Sequence, residues 1–196
     1  VSCGFPEEDA LRAPAVFFQL RRAFYFIDRG LTGASDCMRD LRARLWSNIF
    51  THDTTVYDRC LWNRMEDFST LLLGETGSGK GSAAAAIGRS AFIPFDPKRG
   101  AFAESFMRNF LSLNLCQYPE ALLESELFGH RKGAFTGAVN DHEGVFSLCS
   151  PHGAIFLDEI GEVPDTVQVK LLQVLQEREF SPVGSHEAQR FSGRVI

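Results

Sequence analysis

The sequence predicts an α/β protein: a parallel sheet with helices on both faces, in three layers. Three observations carry this. A short apolar run, 70–73, leads straight into Gly74-Glu75-Thr76-Gly77-Ser78-Gly79-Lys80-Gly81 and then into an alanine-rich segment. A second apolar run, 153–157, ends on Asp158 and Glu159, the pattern of a buried parallel strand with acids at its carboxyl end. Stretches of helical and strand character alternate around these two, as in a sheet wrapped by helices.

Taken in chain order, residues 16–27 are apolar and basic and read as a helix. Ser35 is a good N-cap for a second helix, in which Met38, Leu41, Leu45 and Ile49 recur at helical spacing. Residues 51–68 read as a connector. The run 70–73 is the strand before the glycine loop. Strand, glycine-rich loop, lysine and helix in that order make a P-loop. Backbone N–H groups must converge on phosphate oxygens there, and Gly74, Gly77 and Gly79 remove side chains that would obstruct them. Lys80 supplies a full positive charge for the β- and γ-phosphates, and the helix N-terminus a partial one. Four alanines, 83–86, favour that helix. Gly81 stands where P-loops usually place the Ser or Thr whose hydroxyl helps to hold Mg²⁺.

Residues 93–100 read as a loop and 109–114 as a strand ending on Asn114. Pro119 suits the first turn of a helix. Next comes Gly133-Ala134-Phe135-Thr136-Gly137-Ala138. Its glycines permit a tight, mobile turn that presents Phe135 and Thr136 outward, although a glycine-flanked Phe can equally tuck into a core. Residues 144–148 return the chain to the core. At the end of the apolar run 153–157, Asp158 would hold Mg²⁺ and Glu159 would orient and deprotonate an attacking water. Asp165 and Gln168 have the spacing of a capping box, and Val167, Leu171, Val174 and Leu175 give the following helix an apolar face. Residues 191–196 begin another strand.

Composition narrows the class. The chain has 196 residues, is 44% hydrophobic and carries a formal charge of −5, so it can bury a core and is poorly suited to neutralising DNA phosphates by itself. The arginines between Arg21 and Arg44 are offset by acids between Glu7 and Asp67 and read as a solvated face. The five cysteines, Cys3, Cys37, Cys60, Cys116 and Cys149, form no C-x-x-C pair and read as reduced, mostly buried thiols of a cytoplasmic protein. No histidine has a ligand partner at helical spacing, and His130 reads as a packing or hydrogen-bonding residue. No apolar stretch is long enough to span a membrane.

These motifs, in this order, resemble the ATPase domain of the sigma-54-dependent transcriptional activators, bacterial enhancer-binding proteins of the AAA+ class. Leu122-Leu123-Glu124-Ser125-Glu126-Leu127-Phe128-Gly129-His130 leads into the GAFTGA hexapeptide, and Ile160-Gly161-Glu162-Val163-Pro164 and then Lys170-Leu171-Leu172-Gln173-Val174-Leu175-Gln176-Glu177 follow the acidic strand. The resemblance covers residues 69–196 and, more weakly, 31–50. It implies an AAA+ P-loop NTPase with ATP and Mg²⁺ as ligands, nucleotide bound by residues 74–81 and the metal by Asp158. It implies that the hexapeptide, Phe135 and Thr136 above all, contacts sigma-54, and that Asn114 pairs with Glu159 and links nucleotide state to loop position. Residues 180–186 would form a second, supporting loop. The chain departs from the family at Gly81, where an acidic residue is usual, at Leu115, where Cys is usual, and at Pro182, where Arg is frequent.

By the same resemblance, residues 1–32 would be an upstream linker or the end of a regulatory domain. Residues 33–196 would be the N-terminal part of the AAA+ domain. The sensor asparagine, arginine fingers, helical lid and DNA-binding helix-turn-helix would follow Ile196. The active form would be a homo-oligomeric ring, a hexamer, that remodels closed complexes of RNA polymerase holoenzyme. Two other functions fit the residues: a nucleotide-binding switch without productive hydrolysis, kept open by Gly81, and a small-molecule kinase, for which no acceptor pocket is legible.

Overall fold

A computed structural model describes residues 7–196. The chain opens with α1 (Glu7–Ala23), continued by one π-helical stretch to Arg29, then α2 (Asp36–Phe50) and the short α3 (Thr54–Val56). α4 (Lys80–Gly88) follows the glycine loop. A two-stranded antiparallel hairpin, β1 (Phe95–Asp96) and β2 (Ala101–Phe102), precedes β3 (Phe110–Asn114). Then come α5 (Glu120–Phe128), α6 (Val145–Leu148), β4 (Ala154–Asp158), α7 (Asp165–Glu177), the ribbon β5 (Glu179–Phe180) and β6 (Gln189–Arg190), and β7 (Arg194–Val195).

The central sheet is parallel, in the order β3-β4-β7. Successive residues of a strand face opposite sides, and β4 shows it. Ala154 and Phe156 join a core with the helices around Ile27, Ile49 and Ile87, while Ile155 and Leu157 join another with Leu127, Leu171 and Val174. Helices α1, α2 and α4 therefore cover one face and α5, α6 and α7 the other, which is the three-layer α/β/α architecture expected. α4 lies close on the sheet because it is built from small residues. A Cβ on Gly88 would sit 2.4 Å from Cδ2 of Phe110 and 3.0 Å from Cβ of Ala154. Helix propensity alone would favour valine over this glycine by only about 0.3–0.5 kcal/mol, and overpacking costs about 1–3 kcal/mol. Gly88→Val is thus expected to destabilise the protein, read as a lower urea midpoint.

Several local expectations are corrected. Residues 70–73 are not a regular strand. Thr70 N–H donates to Val195 O at 3.0 Å, which places the segment beside β7, but no ladder extends from it among the described residues. Leu71 and Leu73 are exposed. Residues 93–100 include one strand of the hairpin, closed by Gly100 at φ +60° and a Phe95–Phe102 edge contact at 5.4 Å. Asp165 does not cap α7: Pro164 occupies the cap, Asp165 is the first helical residue, and Gln168 reaches back to Val163 O at 2.8 Å. Ser35 holds the N-cap position of α2 without accepting from a helix N–H, its hydroxyl meeting Cys37 Sγ instead. Among the described cysteines, Cys37, Cys60 and Cys116 are exposed and Cys149 is half-buried, so the thiols are not core groups; Cys3 lies outside the described residues. No helix among the described residues is long and apolar enough to cross a membrane.

Candidate functional site

The glycine loop is held by main-chain geometry. Gly77 and Gly79 sit at φ +84° and +91°, left-handed angles that L side chains resist. Ser78 N–H closes the turn on Glu75 O at 3.2 Å. Gly79 is the N-cap of α4 and Lys80 its first residue, so the helix points its positive end into the loop. The Lys80 ammonium lies across its own loop and donates to Gly74 O at 2.9 Å and Glu75 O at 3.2 Å. Glu75, Thr76 and Gly81 are exposed around it.

The opposite wall is the carboxyl end of β4. Asp158 accepts from the N–H of Glu159 at 3.1 Å. Glu159 is itself left-handed, φ +59° and ψ +41°, a conformation that costs a non-glycine residue about 1–2 kcal/mol. Lys80 and Gly74 on one side, and Asp158 and Glu159 on the other, line one cleft of about 480 Å³ floored by Phe156. The sequence-predicted phosphate and metal groups are thus brought together at the carboxyl end of a parallel sheet, where α/β proteins bind ligands. These residues fit a Mg–nucleotide: backbone donors and a lysine for phosphate, and Asp158 for the metal. A Cβ on Gly81 would meet only Cε1 of Phe156, at 3.8 Å, so a ligating side chain is missing there by sequence and not for want of space.

Asn114 stands in register with Asp158 across β3 and β4. Its side-chain oxygen accepts from Cys116 N–H at 3.0 Å, capping the turn that follows β3. No hydrogen bond joins it to Glu159 in this structure.

The hexapeptide closes on itself. Gly133 N–H donates to Ala138 O at 2.8 Å and Ala138 N–H to Phe135 O at 3.0 Å. Thr136 is exposed and Phe135 half-buried, its ring edge-on to His130 at 4.9 Å. His130 is the hydrogen-bonding residue expected, with Nδ1 2.6 Å from Ser125 Oγ. The stem is an antiparallel pair between His130 and His142. Lys132 N–H and the Arg131 guanidinium both hold Asp141, keeping its carboxyl below the usual range. The second loop is tied to this stem through main chain: Arg131 N–H donates to Val183 O at 3.0 Å and Val183 N–H to Gly129 O at 2.9 Å. Arg131 also pairs with Glu187, the residue after that loop, at 3.4 Å, and Gly184 packs against Ala134.

These ties between the loops went unread in the sequence because backbone groups make most of them. The route from the cleft was equally hidden. α5 runs from beside Asn114 to the stem of the first loop, and α7 from just beyond Glu159 to the second. Lys170 Nζ joins the two helices at Glu124, 2.5 Å away, and Phe128 and Phe180 pack with Phe146 at their far ends.

The model of the Sigma-54 interaction domain family matches residues 53–196. The chain belongs to this family. Among its relatives, the regulatory protein AtoC of Escherichia coli (strain K12) is 39% identical over 154 residues, covering 77% of this chain and 31% of AtoC. The hydrogenase transcriptional regulatory protein HoxA of Cupriavidus necator is 49% identical over 130 residues, 66% of this chain and 24% of that protein. This sigma-54 interaction domain chain therefore spans about a fifth to a third of such relatives. NtrX from Brucella abortus shares its fold, with TM-score 0.60 at 21% identity over 94% of this chain and 33% of NtrX. A crystal structure of NtrX in complex with ATP superposes with TM-score 0.59 at 22% identity, over 85% of this chain and 29% of that one. The fold is that of an α/β P-loop NTPase.

Proposed function

We propose that this chain is the ATP-binding and ATP-hydrolysing core of a sigma-54-dependent transcriptional activator acting in the cytoplasm. One observation carries the reading: Lys80 and the Asp158–Glu159 pair line one cleft, and the strand ends at Asn114 and Asp158 are each followed by a helix that leads to one of two loops bound together. The residues of 74–81 hold the triphosphate through main-chain N–H groups and Lys80. Asp158 holds Mg²⁺, which neutralises phosphate charge when bound. Glu159 takes the proton of the attacking water. Loss of the γ-phosphate changes what Glu159 and Asn114 face, and α7 and α5 carry that change to the loops. Thr136, exposed at the tip, and Phe135, released from His130, then engage sigma-54 and act through it on RNA polymerase.

Transferring phosphoryl charge usually needs an arginine, worth roughly 10³–10⁵ in rate. On this reading a neighbouring copy of the chain supplies it, so the working form is a homo-oligomeric ring, a hexamer by family resemblance. A nucleotide switch without turnover is the second reading, favoured by Gly81.

The test uses the natural full-length protein and purified sigma-54. Co-elution is measured with ADP and aluminium fluoride, a mimic of the transferring phosphoryl group. Capture is expected only with the mimic, and Thr136→Ala should weaken it by roughly tenfold or more while ATP turnover is retained. ATP turnover without capture would reassign the loop to another client. Nucleotide binding with no turnover would establish the switch instead.

A further inference from the structure

Two segments take no part in the function proposed above: α1, and the connector that contains Tyr57. They meet behind the nucleotide site, at the far end of α4. Three successive main-chain carbonyls there, Arg89, Ser90 and Ala91, each accept a hydrogen bond from an α1 side chain. Arg22 Nη1 reaches Arg89 O at 2.7 Å, Gln19 Nε2 reaches Ser90 O at 3.0 Å, and Arg22 Nη2 reaches Ala91 O at 2.6 Å. Tyr57 donates its hydroxyl to Gln19 Oε1 at 2.6 Å, which fixes the amide so that its nitrogen faces Ser90. Gln19, Arg22 and Tyr57 are all buried, at 1%, 4% and 4% exposure, so these bonds have no water competing for them.

A helix ends in unsatisfied carbonyls carrying partial negative charge, and a cation is favoured there. Arg22 is that cation. Burial lowers its pKa to about 10, which leaves the guanidinium charged at neutral pH. Its plane also lies over the Phe18 ring, 4.5 Å from the centroid. The helix it caps has only nine residues and begins at Lys80. A rod that short transmits any shift of its tail to its head.

We propose that Gln19, Arg22 and Tyr57 form a clamp that sets the position of the P-loop helix, and so the affinity of the cleft for nucleotide. These are positioning residues, since none lines the cleft. The clamp lies mostly outside the family match at residues 53–196, with only Tyr57 inside it. Whatever lies upstream of α1 would thereby have a mechanical hold on the nucleotide site. The inference rests on the nucleotide-binding reading.

The experiment titrates a fluorescent ATP analogue into the full-length protein, well below the unfolding midpoint, for wild type, Arg22→Met, Arg22→Lys and Tyr57→Phe. Contact-network substitutions shift coupling enough to change affinity by roughly two- to thirtyfold. Arg22→Met is expected in the upper part of that range and Tyr57→Phe near threefold. Arg22→Lys should recover part of the loss, and the loss should fall on KM for ATP and spare kcat. If Arg22→Met does not fold, Tyr57→Phe carries the test, because it removes one oxygen only. Unchanged affinity in folded variants, with a lowered midpoint, would overturn the clamp and leave α1 as packing. Failure of the wild type to bind nucleotide would instead remove the functional reading beneath it.

Discussion

Lys80→Ala is expected to cost nucleotide affinity roughly ten- to hundredfold while leaving the empty protein as stable as before. The two halves of this expectation come from different contacts. In the structure the ammonium donates to the carbonyls of Gly74 and Glu75, both in an exposed loop. Water can replace a lysine there, so the folding cost stays within about 0.5 kcal/mol, as for most surface substitutions. With a triphosphate bound, the same ammonium moves to phosphate oxygens. A hydrogen bond to a charged group is worth about 1.5–3 kcal/mol, and 1.4 kcal/mol is about tenfold in affinity. Thermal unfolding with and without ATP measures both at once. The wild type should gain midpoint on adding ATP, and the variant should start from the same midpoint and gain little. A variant that keeps the full ATP-dependent shift would mean that Lys80 never leaves its loop carbonyls, and that the cleft is not a phosphate site.

How far the sequence exposes this molecule depends on whether a side chain or the backbone does the work. β4 is legible because a strand buried on both faces must be apolar throughout, and 154–157 are. The glycine loop is legible because Gly77 and Gly79 need positive φ and little else supplies it. α2 is legible because Leu45 and Ile49 are buried on one helical face. The segment 70–73 misleads because an apolar run states a preference for burial and does not by itself make a ladder: beside β7 it is held by the Thr70–Val195 main-chain bond without regular pairing. The hairpin at 95–102 had its signals, Pro97 and Gly100 between two phenylalanines, but a two-residue strand gives no periodicity to find. The cysteines mislead because thiols are often buried, and nothing local to Cys37, Cys60 or Cys116 marks those positions as exposed.

The long-range parts were unreadable for a more general reason. Arg22 and Gln19 bind main-chain carbonyls of residues 89–91, and Val183 accepts a main-chain bond from Arg131 and donates one to Gly129, which ties the two loops together. Every residue type offers a carbonyl, so the receiving positions carry no mark in the sequence. What can be read is the donor: an arginine and a glutamine three residues apart on one side of a helix. Buried polar groups are almost always paired, so such residues ask for a partner without naming it.

Glu159→Gln should lower ATP turnover by roughly 10²–10⁴-fold, the usual contribution of a positioned general base, with nucleotide affinity changed by less than about threefold. The amide has the size of the carboxylate, and nothing in the fold depends on the charge. The backbone gives the sharper argument. Glu159 holds φ +59° and ψ +41°, where glycine would be at ease. Glu159→Gly relieves about 1–2 kcal/mol of conformational strain against about 0.5–1 kcal/mol of added chain entropy in the unfolded state. The glycine variant should therefore be as stable as the wild type or more so, by up to about 1.5 kcal/mol, while losing turnover as the glutamine variant does. A residue that costs stability where it stands, and whose removal costs only chemistry, is held there for its side chain. Single-turnover hydrolysis by the assembled full-length protein, beside urea midpoints for both variants, measures the two effects separately. Equal turnover in Glu159→Gln and wild type would remove the carboxylate from the reaction and leave the cleft as a nucleotide switch. A glycine variant less stable than wild type would mean that the left-handed turn is held by contacts of the Glu159 side chain and not merely tolerated for its chemistry.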